Sequence, residues 1–390
     1  MPSTVALVSC DTYEDEAVLE AVARGLDLIG GARAFVSEGE SVLLKPNLLV
    51  PASPESCVTT HPAVFSAVAR VLADAGATLT YGDSPAVGSC AAAARKAGIS
   101  QAAERHGVTM ADFANGVDVS APDGRVVKRW HIANGAHEAD AIVSLAKMKT
   151  HALCRMTGAV KNQFGCVPGM RKGEFHARMP DVRTFAEMLV DLTVALAPRL
   201  YVMDGVIAME GNGPRGGDPR PMGVVLLSAD PIALDAVACR LMALDPELVE
   251  TLAAGERAGL GVWREADIEV VGDAVDSFVA EDFAVNRRHG STTGRPGSAL
   301  FRRVMRDLIV PRPVIVPEHC TACGTCVRVC PVDPKAVDWA CPGAETAGKP
   351  PLYDYAVCIR CYCCQEMCPE RAIQVEVPPL GRLIHRERSG

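Results

Sequence analysis

Ala141-Ile142-Val143-Ser144-Leu145, followed by Ala146-Lys147-Met148-Lys149-Thr150-His151, is the stretch on which the architecture turns. Its first five residues are almost wholly apolar and lack the alternation of a half-solvated strand. They read as a strand buried on both faces, the kind found in parallel sheets sandwiched between helices. The abrupt change to lysine, threonine and histidine marks the carboxyl end of that strand, which is where open α/β sheets place their ligands.

Working outward, apolar runs alternate with helical patterns. Strands are expected at Val5–Val8, Ser41–Leu44, Thr78–Tyr81, Leu200–Met203, Gly223–Leu227 and Ile268–Val271. Helices are expected over Asp15–Leu28, Pro62–Ala75, Cys90–Ala97, Thr184–Ala197 and Ile232–Ala243. The alternation predicts an α/β fold with a layered, largely parallel sheet over residues 1–285. Residues 286–313 begin with the polar, glycine-rich NRRHGSTTGRPG and read as a linker. Residues 314–390 then form a small α+β domain.

The composition bounds the function. The 390 residues are 49% hydrophobic and 22% charged, ordinary for globular chains, and the length calls for more than one core. A net charge of −8 argues against a nucleic-acid partner, and no apolar run is long enough to span a membrane. Nothing at the start resembles an export signal, and the cysteines suit a reducing compartment, so a cytoplasmic location is expected.

The residues that follow each strand are unusually polar. They are Lys45-Pro46-Asn47, Gly82-Asp83-Ser84-Pro85 and the Lys147–His151 segment, and the next loops add Lys161-Asn162-Gln163, Glu174-Phe175-His176, Asp204, and Glu210-Gly211-Asn212-Gly213. Only nine lysines occur in the chain, and Lys45, Lys147, Lys149 and Lys161 are four of them. Singly, a strand-end lysine is a solvated surface residue; gathered with His151 and His176, the four suit an anionic or electron-accepting ligand. These six are the candidate catalytic groups. Asn47, Asp83, Asn162, Glu210, Gly211 and Gly213 are the candidate substrate contacts. Asp83, Asp204 and Glu210 have no metal-ligand spacing and read as caps and turns. Gly211-x-Gly213-x-x-Gly216 matches the dinucleotide fingerprint in form, but Pro214 and Pro219 keep it from opening a helix.

The small domain carries the most specific signal. Cys320-x2-Cys323-x2-Cys326-x3-Cys330-Pro331 and Cys358-x2-Cys361-x2-Cys364-x3-Cys368-Pro369 repeat one pattern, with structural zinc as the competing reading. Over residues 314–378 the chain resembles the bacterial two-cluster ferredoxins, with strands at Val314–Val316 and Ala372–Val375. In that arrangement Cys320, Cys323, Cys326 and Cys368 would hold one [4Fe–4S] cluster. Cys358, Cys361, Cys364 and Cys330 would hold the other. Cys341 and Cys363 are extra to the pattern and read as bystanders.

The strings VLLKPN, GDSP, KMKTH, TGAVKNQFGCVPG, GEFHAR and MEGNGP, in this order, resemble the bacterial and archaeal family catalogued as domain of unknown function 362, which often carries such a tail. The resemblance implies an iron–sulfur protein and lends weight to Lys45, Asn47, Asp83, Lys149, His151, Lys161, Asn162 and Glu210. The expected activity is a reductase charged by an external low-potential electron donor, a ferredoxin or a reductase. Two clusters would pass electrons to a small conjugated or anionic molecule at the strand ends. A flavin in between is compatible, though no residue pattern demands one. The alternative is a non-catalytic electron carrier or assembly factor that docks a partner enzyme.

Overall fold

The structure is a computed structural model, which describes residues 2–169, 171–287, 308, 310–341 and 348–378. Two compact units emerge: residues 1–172 with 186–285, and residues 173–185 with 286–390.

The first unit is built on a nine-stranded sheet. Its strands are β1 (Ser3–Ser9), β2 (Ser41–Pro46), β3 (Thr78–Tyr81), β4 (Thr109–Met110), β7 (Ala141–His151), β8 (Arg155–Met156), β9 (Leu200–Glu210), β10 (Asp218–Ser228) and β11 (Ile268–Gly272). β5 (Gly116–Ser120) and β6 (Arg129–Ala133) form a separate hairpin. The order across the sheet is β11-β1-β10-β9-β7-β2-β3-β4, with β8 turned back on β7. All pairs in that order are parallel except those of β10, which runs antiparallel to β1 and β9. The α/β sheet expected from sequence is therefore present, with one reversed strand.

Helices α1 (Asp15–Leu28), α2 (Pro62–Asp74), α3 (Cys90–Lys96) and α4 (Ile99–Arg105) supply one core. Val18, Val22 and Leu26 of α1 and Val64, Phe65, Val68 and Leu72 of α2 are buried in it with Leu44, Val143 and Leu145 of the sheet. Burying each such side chain is worth about 1.5–3 kcal/mol. Further along lie α5 (Asn134–His137), α6 (Ala159–Asn162), α7 (Arg171–Arg178), α8 (Val182–Leu196), α9 (Pro231–Leu241) and α10 (Glu250–Arg257). α9 starts where Asp230 accepts from Ile232 and Ala233 N–H, with Pro231 in the first turn.

Strand order fixes where the site lies. From β2 the chain moves one way across the sheet to β3; from β7, its neighbour, it moves the other way to β9. The carboxyl ends of β2 and β7 thus flank a topological switch point, where doubly wound sheets open a crevice.

Two expectations need correction. β7 does not end at Leu145 but runs to His151 with every residue buried. Its lysines stay in the strand because hydrogen-bonding oxygens replace water around them, a compensation no periodicity reveals. Residues 173–185, read as part of the large domain, group with the second unit. This polar stretch carries no strand that would tie it into the sheet.

The second unit holds β12 (Arg312–Ile315) paired antiparallel with β15 (Ile373–Glu376), and β13 (Val337–Asp338) paired with β14 (Leu352–Tyr353). Each cysteine run leads into one helical turn, α11 (Thr325–Val329) and α12 (Cys363–Met367). Most of the linker read over residues 286–313 lies outside the described residues.

Candidate functional site

The cysteines of the second unit line two cavities. One is lined by Cys320, Cys323, Cys326 and Cys368. The other is lined by Cys330, Cys358, Cys361 and Cys364. Each cavity takes three thiols from one run and the fourth from the other run, so the crossed sets meet in space. Four thiols around one hollow, with apolar walls from Ile315, Ala372 and Ile373 in one and Val332 and Val337 in the other, fit a cubane and its need for a dry shell. Backbone donors reach the crossing sulfurs: Ala336 N–H to Cys330 Sγ at 3.4 Å and Ala372 N–H to Cys368 Sγ at 3.3 Å. Cys341 is exposed and lines neither cavity, while Cys363 is buried beside Cys361.

In the first unit, the sequence-predicted residues form two connected networks at the strand ends. Lys45 is wholly buried at the end of β2, and its Nζ meets Asp83 Oδ1 at 2.9 Å, the Pro46 carbonyl at 3.0 Å and Asn162 Oδ1 at 3.1 Å. Asp83 Oδ2 accepts from Leu48 N–H at 2.6 Å. Asn162, at the end of α6, also accepts from Asn47 Nδ2 and donates to the Lys45 carbonyl and to Ser144 Oγ. Lys149 donates to Asn47 Oδ1 at 2.7 Å and to the Val58 carbonyl at 2.6 Å. Five candidates, Lys45, Asn47, Asp83, Asn162 and Lys149, are therefore brought together.

Space is tight here. A methyl at Gly165 would overlap Asp83 Oδ1 and stand 2.8 Å from Lys45 Nζ. Glycine is what lets this loop cross the ion pair. Lys172 closes the loop by donating to Ser84 O, Ser84 Oγ and the Val167 carbonyl. Burial pushes its ammonium down to about 8, with Asp83 opposing and Lys45 assisting. Burial pushes the neighbouring Cys166 thiol up to about 12, so it is no nucleophile at neutral pH.

The second network centres on Asp204, the cross-strand partner of Lys147. Lys147 Nζ donates to Asp204 Oδ2 and to Tyr13 OH, both at 2.8 Å, and Tyr13 OH donates to Asp204 Oδ1 at 2.8 Å. Tyr13 also accepts from Ile207 N–H within the irregular stretch of β9. His61 stacks on Tyr13 with ring centres 3.5 Å apart, and its backbone N–H is held by Asp204 Oδ2. Ala63 N–H donates to His61 Nδ1, so the neutral ring carries its proton on Nε2. Burial lowers His61 to about 4 against the pull of Asp204, leaving a neutral, half-buried N–H donor. Segment 57–61 ties the networks together: Val58 accepts from Lys149, Thr60 Oγ1 joins Asn47 N–H to the Leu145 carbonyl, and His61 meets Asp204.

The remaining candidates are placed differently. His151 Nδ1 accepts from Leu153 and Cys154 N–H and shapes the turn into β8. Lys161 is half-buried on α6. Glu210 accepts from Ala284 N–H, and Gly211 and Gly213 tie their loop to Thr150 and Ala284. That loop joins β9 to the antiparallel β10 and opens no helix. His176, expected at the strand ends, belongs to the second unit, where it stacks on Phe185. Asp83, Asp204 and Glu210 each serve a different partner: Asp83 meets Lys45, Asp204 meets Lys147 and Tyr13, and Glu210 accepts from Ala284 N–H.

Tyr13, His61, Ser144 and Lys172 are not among the sequence-predicted residues. Ser144 sits in an apolar strand and His61 in a segment without a strand-end signature; Tyr13 follows the polar end of β1, Cys10-Asp11-Thr12, a signal the sequence does carry, but only the fold brings it to Lys147.

A family described as domain of unknown function (DUF362) matches residues 42–240, and a 4Fe-4S binding domain matches residues 313–334. A thylakoid-associated protein of Synechocystis sp. is 39% identical over 261 residues, covering 67% of this chain and 81% of that protein. Among solved structures, the lactate racemase apoprotein from Thermoanaerobacterium thermosaccharolyticum matches with a TM-score of 0.39 and 10% identity over 62% of this chain. A protein from Thermotoga maritima matches with a TM-score of 0.33 and 14% identity over 56%. The chain spans 57% and 56% of those two structures. With cysteine-lined cavities and a 4Fe-4S domain match, the chain is an iron–sulfur protein.

Proposed function

Because the chain belongs to the DUF362 family and carries a 4Fe-4S binding domain, we propose that it is an oxidoreductase with two [4Fe–4S] clusters that reduces an organic molecule held at the β2–β7 switch point. The observation that carries this reading is the joint presence of two crossed four-cysteine cavities and a prebuilt polar cluster of lysine, asparagine and neutral histidine in one chain. When bound, the clusters would supply one electron each, drawn from an external low-potential donor such as a ferredoxin or a reductase. Two electrons and two protons added across a conjugated C=C or C=O bond balance the reaction.

The protein's own groups then have defined tasks. His61 Nε2–H is a neutral donor to a substrate oxygen, held by the Tyr13 stack and the Ala63 bond. Asn47 and Lys149 present a half-buried amide beside a fixed ammonium, suited to an anionic or enolate oxygen. Lys45–Asp83 and Lys147–Asp204 hold these groups in place as neutral pairs. The same pairing favours the alternative of a non-catalytic carrier or assembly factor, since two of the lysines need no ligand to balance them.

A cytoplasmic location is proposed from the free cysteines, which suit a reducing compartment. No helix among the described residues is long and apolar enough to cross a membrane, and the Synechocystis relative is named as thylakoid-associated.

The test uses anaerobically purified full-length protein with iron, sulfide and flavin quantified. After chemical reduction, reoxidation is followed against conjugated carbonyls, enoates and quinones. Turnover with at least one class is expected, and His61→Gln and Lys149→Ala should each remove it with the cluster spectrum intact. Unchanged turnover in both variants refutes the site. Reoxidation only by protein acceptors supports the carrier.

A further inference from the structure

We propose that Tyr353 sets the reduction potential of the cluster held by Cys330, Cys358, Cys361 and Cys364, through a hydrogen bond to Cys364 Sγ. The inference rests on the two-cluster reading and concerns a residue that belongs to neither cysteine run. The phenol oxygen lies 3.1 Å from Cys364 Sγ, oriented as donor, and Tyr353 lines that cavity. Reduction adds negative charge that the ligand sulfurs share, so a donor at sulfur stabilises the reduced state more than the oxidised one and raises the potential.

The phenol is held in position. Tyr353 pairs with Val337 across the β13–β14 ladder, and its ring stacks on Tyr355 at 5.5 Å with an angle of 11°. Tyr355 is fixed in turn: its hydroxyl donates to the Pro313 carbonyl at 2.8 Å, and the guanidiniums of Arg312 and Arg360 lie 4.8 and 4.7 Å from its ring centre.

Among the described residues, the other cavity has no equivalent arrangement. Its side-chain contacts to sulfur are the hydroxyls of Thr325, 3.3 Å from Cys323 Sγ, and Thr321, both on Cys323 and within one ligand loop. Cys323 is exposed, so water replaces either contact when it is lost; Cys364 is buried, and nothing replaces Tyr353. Backbone donors are matched at the two crossing sulfurs, Cys330 and Cys368. The hydroxyl of Tyr353 therefore acts on one cluster alone.

The experiment is an EPR-monitored potentiometric titration of full-length wild type, Tyr353→Phe and Tyr355→Phe. Iron and sulfide content and the spectrum of fully reduced wild type come first. Protein that takes up only one cluster removes the two-cluster reading and this proposal with it. In Tyr353→Phe one midpoint should fall so that the reduced-to-oxidised ratio at a set potential drops about tenfold, about 59 mV for one electron, and the other midpoint should stay. Tyr355→Phe, which loses a bond to backbone, should leave both in place. The proposal is overturned if neither midpoint moves in Tyr353→Phe, if both move together, or if Tyr355→Phe gives the same shift. Should Tyr353→Phe bind less iron, proton ENDOR on wild type in H2O and D2O decides. An exchangeable proton coupled to one cluster and lost in Tyr353→Phe supports the assignment, and its absence from wild type sinks it.

Discussion

Replacing Asp83 with asparagine should destabilise the first unit by several kcal/mol, because the variant strands a buried charge. Lys45 and Asp83 are 0% and 3% exposed and meet at 2.9 Å. At an effective dielectric of about 20, two unit charges at that distance attract by roughly 6 kcal/mol. Most of this offsets the cost of taking both ions out of water, so the pair contributes little net stability. The single variant does not share that cancellation. Asp83→Asn keeps the volume and an oxygen for Leu48 N–H but leaves Lys45 charged and buried beside neutral oxygens, at a cost of about 3–5 kcal/mol. For a unit of this size that is a fall in Tm of roughly 6–20 °C. The assay is guanidinium and thermal unfolding of the full chain by far-UV circular dichroism, with cluster absorbance followed separately. Lys45→Met should cost as much by stranding the carboxylate, whereas Lys45→Met with Asp83→Leu should recover most of the loss. The reasoning is refuted if Asp83→Asn costs less than about 1 kcal/mol, or if the double variant equals the sum of the singles.

Three further outcomes are expected. His61 has its folded value depressed to about 4, chiefly by burial, so the unfolded chain binds more protons between about 4 and its ordinary 6.5, and stability falls as pH drops through that window. Histidine 15N NMR should show the Nε2–H tautomer unchanged from pH 7 to 5, and His61→Gln should flatten the stability profile there; a ring that titrates near 6.5 contradicts the assignment. Lys172, lowered to about 8 from 10.5 by burial, penalises the fold below pH 8, and the penalty is relieved as pH rises towards 10.5. Relative to Lys172→Met, wild type should gain stability across that range, and a constant difference would count against it. Gly165→Ala, whose methyl collides with Asp83 Oδ1, should cost about 1–3 kcal/mol as an overpacked site and weaken Lys45–Asp83 coupling in a double-mutant cycle. An additive, near-neutral result would mean the loop has room.

Much of this protein is legible in its sequence. The crossed ligand sets are what the repeated cysteine spacing and its resemblance to two-cluster ferredoxins imply, and each of the two cavities gathers four thiols in that combination. The α/β layering is readable because strands such as Ala141–Leu145 are apolar on both faces, and helices such as Asp15–Leu28 follow their 3.6-residue period closely. Lys45, Asn47, Asp83 and Lys149 can be named because strand ends are where such sheets place ligands, and Asn162 because the polar run Lys161-Asn162-Gln163 stands out in the sequence. Their environment cannot. In the sequence, four lysines look like uncompensated charge awaiting an anion; in the fold, Asp83 and Asp204 neutralise two of them, and the network holding a third is completed by Val58, a residue with no polar side chain. His61 illustrates the same limit. Its identity is local, but its fixed tautomer and lowered proton affinity come from Ala63, Tyr13 and burial acting together. Periodicity and ligand spacing are properties of neighbours in the chain, so the sequence determines them. Charge compensation depends on which distant oxygens arrive within about 3 Å, a hydrogen-bond length, and the order of strands across the sheet decides that.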